Sequence, residues 1–256
     1  MKPAPTLPSA PSQLFELVGR LEAQQGFAEV ISSLQSGHGA TLGGAWGSCC
    51  ALSAAALAHH APGPLVVICA HTDDLDDVCE DLALFTALRP ERFPAWESGR
   101  GEQMLSDEIY GERLRLLKAL KGGDAPALVV TSIQSLLQPV PRRQTLERQT
   151  RTLRPGDRLD VKGLLAWLVE NGFHSTSAVE LPGEFAARGG IIDVFAPDWF
   201  DPIRIELFDD EIESIRRFDI ASQRSLATLD AVEITVLAPS SDDREHFTGY
   251  LPGGTW

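Results

Sequence analysis

Residues 180–225 read ELPGEFAARGGIIDVFAPDWFDPIRIELFDDEIESIRRFDIASQRS and alternate between apolar and polar side chains. Ile203, Ile205 and Leu207 fall on one face of a run that begins there, and a second run begins at Ile212. A period of two is typical of half-buried antiparallel strands. The stretch therefore predicts a small antiparallel sheet.

Two short breaks divide this sheet into hairpins. Asp209-Asp210 separates two of the runs and suits a tight turn, because aspartate tolerates turn geometry and can bond its own backbone. Gly189-Gly190 precedes another candidate strand, residues 191–195. This break places Arg188 at a strand end with little side-chain bulk beside it. Arginine is enriched at binding hot spots because its planar fork pairs with carboxylates.

The same stretch resembles a known family through clusters in a fixed order, namely Gly183-Glu184-Phe185, Arg188-Gly189-Gly190 and Asp209-Asp210-Glu211. It is similar to the second domain of the excision-repair helicase UvrB, and more similar to the matching domain of the bacterial transcription-repair coupling factors (Mfd). In both families that domain docks UvrA. The resemblance implies that Arg188 contacts UvrA. From their positions near Arg188, we place Glu184, Phe185 and Gly189 at the border of this contact, although a phenylalanine is more often buried in the core. UvrB has a second arginine where this chain has Ala186.

Nearer the amino terminus, a short strand candidate at residues 40–42 precedes a glycine-containing loop and an alanine-rich helix. This order is the context of a phosphate-binding loop. The loop is degenerate: Cys50 stands where the lysine for the β- and γ-phosphates belongs, and Ala51 replaces the magnesium-binding hydroxyl. The pattern predicts a scaffold loop that does not bind ATP, formed by Gly44, Gly47, Cys49, Cys50 and Ala51. The coupling factors lack this lysine, whereas UvrB keeps it.

The arrangement of strands and helices predicts an α/β fold. Buried apolar runs at 64–70 and 127–131 alternate with helices, which predicts a parallel sheet and, with the resemblance, a degenerate RecA-like lobe. Asp160 is placed to cap a helix that leads into the antiparallel sheet. We therefore predict an inserted α+β module. The predicted boundaries are a disordered tail at 1–12, the lobe at 13–138, the UvrA-docking module at 139–226, and a truncated return to the lobe at 227–256.

Composition limits the other functions. The net charge of −14 disfavours a chain that depends on phosphate contacts, although residues 142–162 carry a local excess of arginine and lysine. The four cysteines form no C-x-x-C pair, so we expect reduced thiols and no metal site. No apolar run is long enough for a membrane span, and the start has no apolar core of a signal peptide. We therefore expect a cytoplasmic chain with no membrane partner.

Taken with the resemblance, these features imply part of a transcription-repair coupling factor that recruits UvrA to stalled RNA polymerase. We expect no catalytic residues, no cofactor and no ATP hydrolysis in this chain. The resemblance implies that ATP, magnesium, RNA polymerase and double-stranded DNA are bound by the full-length protein. Two alternatives remain open: a UvrB-like ATP-dependent repair helicase subunit, and a nucleic-acid-binding module that uses residues 142–162.

Overall fold

The computed structural model describes residues 10–96, 108–236 and 244–256, without the side chains of residues 10–13. The chain divides into two compact units. Of the described residues, 10–95, 119–138 and 248–256 belong to the first unit, and 96, 108–118, 139–236 and 244–247 belong to the second. Every helix among the described residues is too short or too polar to cross a bilayer.

The secondary structure alternates between helices and strands in the first half and is mostly strands in the second. The helices are α1 (Ala10–Glu22), α2 (Gln25–Gln35), α3 (Ser48–Ala58), α4 (Asp74–Phe85), α5 (Glu108–Gly122), α6 (Ile133–Leu137), α7 (Arg143–Arg148) and α8 (Val161–Glu170). The strands are β1 (Leu65–Cys69), β2 (Glu91–Phe93), β3 (Leu128–Ser132), β4 (Val140–Pro141), β5 (Thr150–Leu153), β6 (His174–Ser175), β7 (Glu184–Arg188), β8 (Ile191–Phe195), β9 (Ile203–Phe208), β10 (Glu211–Phe218), β11 (Ser225–Thr228), β12 (Val232–Thr235) and β13 (Arg244–Glu245).

A parallel sheet in the order β1-β3-β2 lies at the centre of the first unit. All five residues of β3 are buried, because this strand is flanked on both edges. Apolar side chains from α1 to α4 and from the sheet form one core, which includes Phe27, Leu82 and Leu128. The parallel sheet that the two apolar runs predicted is confirmed, and so is the α/β class.

Two predictions in the first unit are wrong in detail. Residues 40–42 form no strand; they are exposed and pair with no described strand. The first helix begins at Ala10, so residues 10–12 of the predicted tail are helical, and the rest of that tail lies outside the described residues.

A six-stranded sheet in the order β11-β10-β9-β8-β7-β6 dominates the second unit. Its neighbours pair antiparallel except for β6 and β7, which are parallel. Helix α8 packs on one face through the buried side chains of Leu164 and Leu168. The Asp160 carboxylate accepts a hydrogen bond from the Gly163 N–H at 3.0 Å, which confirms the predicted cap.

The strand near residue 231 does not return the chain to the first unit. We expected residues 227–256 to rejoin the lobe, but β12 pairs antiparallel with β5 and lies in the second unit. Only residues 248–256 belong to the first unit, where Trp256 bonds the backbone of Pro64 and Val66 at 2.9 and 2.8 Å. Backbone pairing with β5 explains this difference, because the alternating pattern alone does not specify a strand's neighbour.

Helix α5 is tied to the loop after β8 inside the second unit. The Lys118 ammonium donates to the Asp198 carboxylate at 2.7 Å, and Arg115 donates to the Asp198 carbonyl at 3.1 Å. Burial raises the pKa of the Asp198 carboxyl, and the attraction of Lys118 opposes that rise. Gly111 lies so close to this loop that a Cβ there would stand 2.3 Å from the Pro197 carbonyl oxygen.

We predict that Gly111→Ala destabilises the protein by about 1–3 kcal/mol, because backbone atoms would have to move apart. This sign is opposite to the helix propensity of alanine, which favours the change by about 1 kcal/mol. Urea unfolding followed by circular dichroism measures the difference. Gly122→Ala, at the open end of the same helix, is the matched control, since a Cβ there contacts nothing within 4 Å. Equal midpoints for the two variants would contradict the close-approach argument.

Candidate partner-docking surface

The β7–β8 hairpin presents the predicted arginine. Arg188 is the last residue of β7 and faces Ile191, the first residue of β8, across the antiparallel pair. The two residues between them, Gly189 and Gly190, form the connection predicted from the sequence. Gly189 adopts φ +58°, a left-handed conformation that glycine enters without steric strain. The hairpin therefore ends at the arginine.

A close backbone contact holds this loop in place. The Leu207 N–H donates to the Gly190 carbonyl at 2.7 Å, and a Cβ at Gly190 would lie 2.8 Å from the Leu207 carbonyl oxygen. Only a residue without a side chain fits there without displacing backbone. The loop of one hairpin is thus joined to strand β9 of the next, which fixes the base from which the Arg188 side chain extends.

The two faces of the six-stranded sheet differ in chemistry. One face packs against α8 and is buried, with side chains that include Phe185, Ile192, Val194, Ile203, Ile205, Ile212 and Ile215. Cross-strand pairing places mostly charged side chains on the other face, which we call the outer face: Arg188, Asp193, Arg204, Glu206 and Arg216, together with the apolar Ile191. Since the inner face is filled by core, the outer face is the one of the two that a partner can reach.

Two arginines on the outer face are already paired. Arg204 donates two hydrogen bonds of 2.8 Å to the Asp193 carboxylate, and its guanidinium lies 4.7 Å from the centre of the Phe218 ring. The bonds to Asp193 raise the pKa of the Arg204 guanidinium. Arg216 lies 3.0 Å from the Glu206 carboxylate. Within each pair the two charges cancel, and both pairs stabilise the sheet as cross-strand contacts.

Arg188 differs from both. Its side chain is exposed, and it forms no hydrogen bond or ion pair with any of the described residues. It borders a groove of ≈ 220 Å³ on the outer face with a mixed lining, in which Val179, Ala186, Ile191 and Phe218 are apolar and Ser177, Asp193, Arg204 and Gln223 are polar or charged. A guanidinium that has no partner among the described residues is suited to a carboxylate from a binding protein, because the fork geometry allows two parallel hydrogen bonds.

The other predicted contact residues occupy different environments. Phe185 is 3% exposed and belongs to the core, the environment that its residue type favours. The Glu184 carboxylate accepts hydrogen bonds from the backbone of Glu180 and Leu181 at 2.8 and 2.9 Å, and it holds the loop before β7. Gly189 is exposed beside Arg188. Arg188 and Gly189 thus lie at the surface, whereas Glu184 bonds the backbone of the preceding loop and Phe185 packs in the core.

Sequence reasoning missed two apolar residues on the outer face. Ile191 is 40% exposed, and Phe208, the last residue of β9, is 73% exposed. The period-two pattern contained the signal for Phe208, because Arg204, Glu206 and Phe208 fall on one side of the strand. Ile191 could not be recognised in this way, since an apolar residue at a strand start is most often buried.

The degenerate phosphate loop precedes α3 without a strand before it. The N–H groups of Cys49 and Cys50 already donate to the carbonyls of Trp46 and Gly47, at 3.1 and 2.9 Å. In phosphate-binding loops such groups point at the ligand. Gly44 takes φ +80°, and the Ala51 side chain is buried in the core. The described residues contain no cluster of histidine, cysteine and acidic side chains that could hold a metal ion.

The basic residues near position 150 are spread over several elements. Arg148 ends α7, Arg151 belongs to β5 and Lys162 lies in the first turn of α8. Some have local partners: the Arg151 guanidinium lies 4.4 Å from the centre of the Trp167 ring, and Arg158 lies 4.0 Å from Asp210. These contacts are those of a solvated protein surface.

Comparison with known proteins gives a consistent result. Residues 152–239 match the family described as UvrB interaction domain. The transcription-repair-coupling factor of Mycobacterium bovis is 36% identical over 195 residues, 73% of this chain and 16% of that protein. The corresponding protein of Bacillus subtilis is 32% identical over 219 residues, 81% of this chain and 18% of that protein. That of Staphylococcus aureus is 42% identical over 132 residues, 51% of this chain and 11% of that protein. The chain therefore spans less than a fifth of these relatives.

The contrast between two residues of β7, Phe185 and Arg188, gives a test of the site geometry. We predict that Phe185→Ala lowers the free energy of unfolding by about 3–5 kcal/mol, as for a buried aromatic side chain. Arg188→Ala should change it by less than about 0.5 kcal/mol, because the side chain is exposed and forms no hydrogen bond or ion pair with the described residues. Chemical denaturation of both variants measures the two values. A large loss for Arg188→Ala would show that this side chain supports the fold.

Proposed function

Because this chain contains a UvrB interaction domain at residues 152–239 and is similar to part of the transcription-repair-coupling factors, we propose that it recruits UvrA through the outer face of its six-stranded sheet. A role in transcription-coupled DNA repair follows from the relatives that share its sequence. That this chain itself docks UvrA is the more specific part of the proposal, and it rests on the arrangement around Arg188.

One observation carries this proposal: Arg188 is exposed and unpaired on a sheet face where the neighbouring arginines, Arg204 and Arg216, have carboxylate partners. A carboxylate of UvrA would give it the missing partner. The loop that presents it is fixed by the contact of Gly190 with Leu207. Because the backbone of this loop is already ordered, binding does not have to order it, which favours affinity.

The remaining parts of the proposed activity belong to the longer protein. We infer that RNA polymerase, double-stranded DNA, ATP and magnesium are engaged by segments outside this stretch, since the chain spans only 16–18% of the relatives from Mycobacterium bovis and Bacillus subtilis. UvrA docking by this stretch would then follow the encounter of the longer protein with a stalled polymerase. We place this activity in the bacterial cytoplasm, where transcription occurs.

Binding to UvrA tests the proposal directly. We predict that the chain binds UvrA in isothermal titration calorimetry and that Arg188→Ala loses about 2 kcal/mol or more of binding free energy, as at an interface hot spot. Arg188→Lys should lose an intermediate amount, because lysine keeps the charge without the planar fork.

The matched control for this experiment is Arg148→Ala, which removes an exposed arginine at the end of α7 in the same unit. Its affinity should equal that of the unchanged chain. Absence of binding by the folded, unchanged chain would refute the recruitment function. Equal binding by Arg188→Ala would keep the function and place the contact elsewhere.

We also propose that this chain neither binds nor hydrolyses ATP. Cys50 stands where the motif has its lysine. The N–H groups of Cys49 and Cys50, in the first turn of α3, already donate to the carbonyls of Trp46 and Gly47. A helix N-terminus alone contributes only on the order of 1 kcal/mol to an anion. The alternative hypothesis, a UvrB-like ATPase, would require a nucleotide-binding site that this loop does not provide.

Titration with a fluorescent ATP analogue in the presence of magnesium tests this second proposal. We predict no saturable binding up to millimolar nucleotide, where an isolated interaction of this size would leave the site nearly empty. The double substitution Cys50→Lys with Ala51→Ser restores the side chains of the motif and serves as a comparison. Tight binding by the unchanged chain would favour the enzymatic alternative.

A further inference from the structure

The outer face of the six-stranded sheet is covered at one end and open at the other. At the covered end, Val179, Ala186 and Phe195 form a small apolar cluster with Trp199 and Ile220. The open end holds Arg188 together with the two exposed apolar residues, Ile191 and Phe208. The fold therefore buries apolar side chains on part of this face and leaves an aromatic ring in water on the rest.

Strand register determines where Phe208 lies. Ile191 pairs with Arg188 on one side and with Glu206 on the other, so these three side chains share the outer face. Phe208 is two residues beyond Glu206 in the same strand and therefore points to the same side. The hydrogen bond from Leu207 to Gly190 holds this end of β9 against the hairpin loop that follows Arg188.

This open end has the composition of an interface core. Arginine and aromatic residues are the types most enriched at hot spots, and such residues cluster. The backbone of Phe208 is already held in strand β9, so a partner can bury the ring without ordering the backbone first. One aromatic ring supplies a large apolar area. Ile191 extends the apolar area between the ring and the guanidinium.

The two sides of the open end carry opposite charge. Glu206 and Arg216 neutralise each other, so the net charge beside Ile191 is that of Arg188. Beyond Phe208 the chain turns through Asp209 and Asp210, where Arg158 is the only cation that approaches among the described residues, at 4.0 Å. A partner carboxylate is attracted at the Arg188 side and repelled at the turn. The surface thus favours one orientation of an acidic, apolar segment.

We propose that Phe208 is the apolar anchor of the UvrA-docking surface, and that the segment of UvrA seated there places a carboxylate on Arg188 and an apolar side chain over Phe208 and Ile191. This inference rests on the proposed function and adds a second contact to it. The occupant follows from charge complementarity: the site is a local cation on a chain of net charge −14, so its partner surface is acidic where it meets Arg188.

Calorimetric titration of UvrA with the unchanged chain and with Phe208→Ala tests the anchor. We expect Phe208→Ala to bind about 30-fold more weakly, the loss typical of a hot-spot side chain. Its thermal unfolding should match that of the unchanged chain, because the ring is mostly in water. The control is Leu226→Ala, which truncates another exposed apolar residue, 54% exposed, on edge strand β11 of the same sheet. Its affinity should change by less than about 2-fold.

The possible results separate the anchor from the function. A selective loss with Phe208→Ala supports the anchor. If Arg188→Ala weakens binding and Phe208→Ala does not, UvrA docking stands and the anchor is wrong. If Leu226→Ala weakens binding as much as Phe208→Ala, the loss reflects general apolar surface, and the anchor is again wrong. If the unchanged chain does not bind UvrA, the proposed function and the anchor are overturned together.

Discussion

The burial of one face of the six-stranded sheet against α8 is the constraint on which the docking surface depends. Side chains alternate along a strand, so a shift of one residue would move the entire apolar set into water. Ile192, Val194 and Ile205 are fully enclosed in this core. Their positions fix the register of β7, β8 and β9. That register alone sends Arg188, Glu206 and Phe208 outward, and the hydrogen bond between Leu207 and Gly190 keeps the neighbouring hairpins together.

The charges on the outer face are arranged so that one arginine remains available. Asp193 and Glu206 are the cross-strand partners of Arg204 and Arg216, and the geometry of the Asp193 pair is bidentate. Such pairs contribute modestly to stability when they are partly exposed. Their more important effect is to remove competing cations beside Arg188. Recognition of a single carboxylate is more selective against a neutral background than on a uniformly basic surface.

In the first unit, the degenerate phosphate loop and the helix after it keep their structural position without the side chains that bind phosphate and magnesium. The helix after the glycine-containing loop still packs through Ala51, Ala55 and Ala56 into the core beside the parallel sheet. The residues before it form no strand, and the side chains that would hold phosphate and magnesium are replaced by Cys50 and Ala51. Packing requires only small apolar residues there, whereas phosphate binding requires a lysine and free N–H groups.

By itself the sequence determined the antiparallel strands, the two glycines after Arg188, the helix cap at Asp160 and the missing lysine, because each depends on residues close together in the chain. Its resemblance to the coupling factors also predicted a contact role for Arg188. Tertiary structure decided the rest. It buried Phe185, engaged Glu184 with the backbone of Glu180 and Leu181, and paired β12 with β5. It also left Phe208 exposed next to the arginine loop. These outcomes depend on which strands become neighbours and on how much of each sheet face other elements cover, and local periodicity specifies neither.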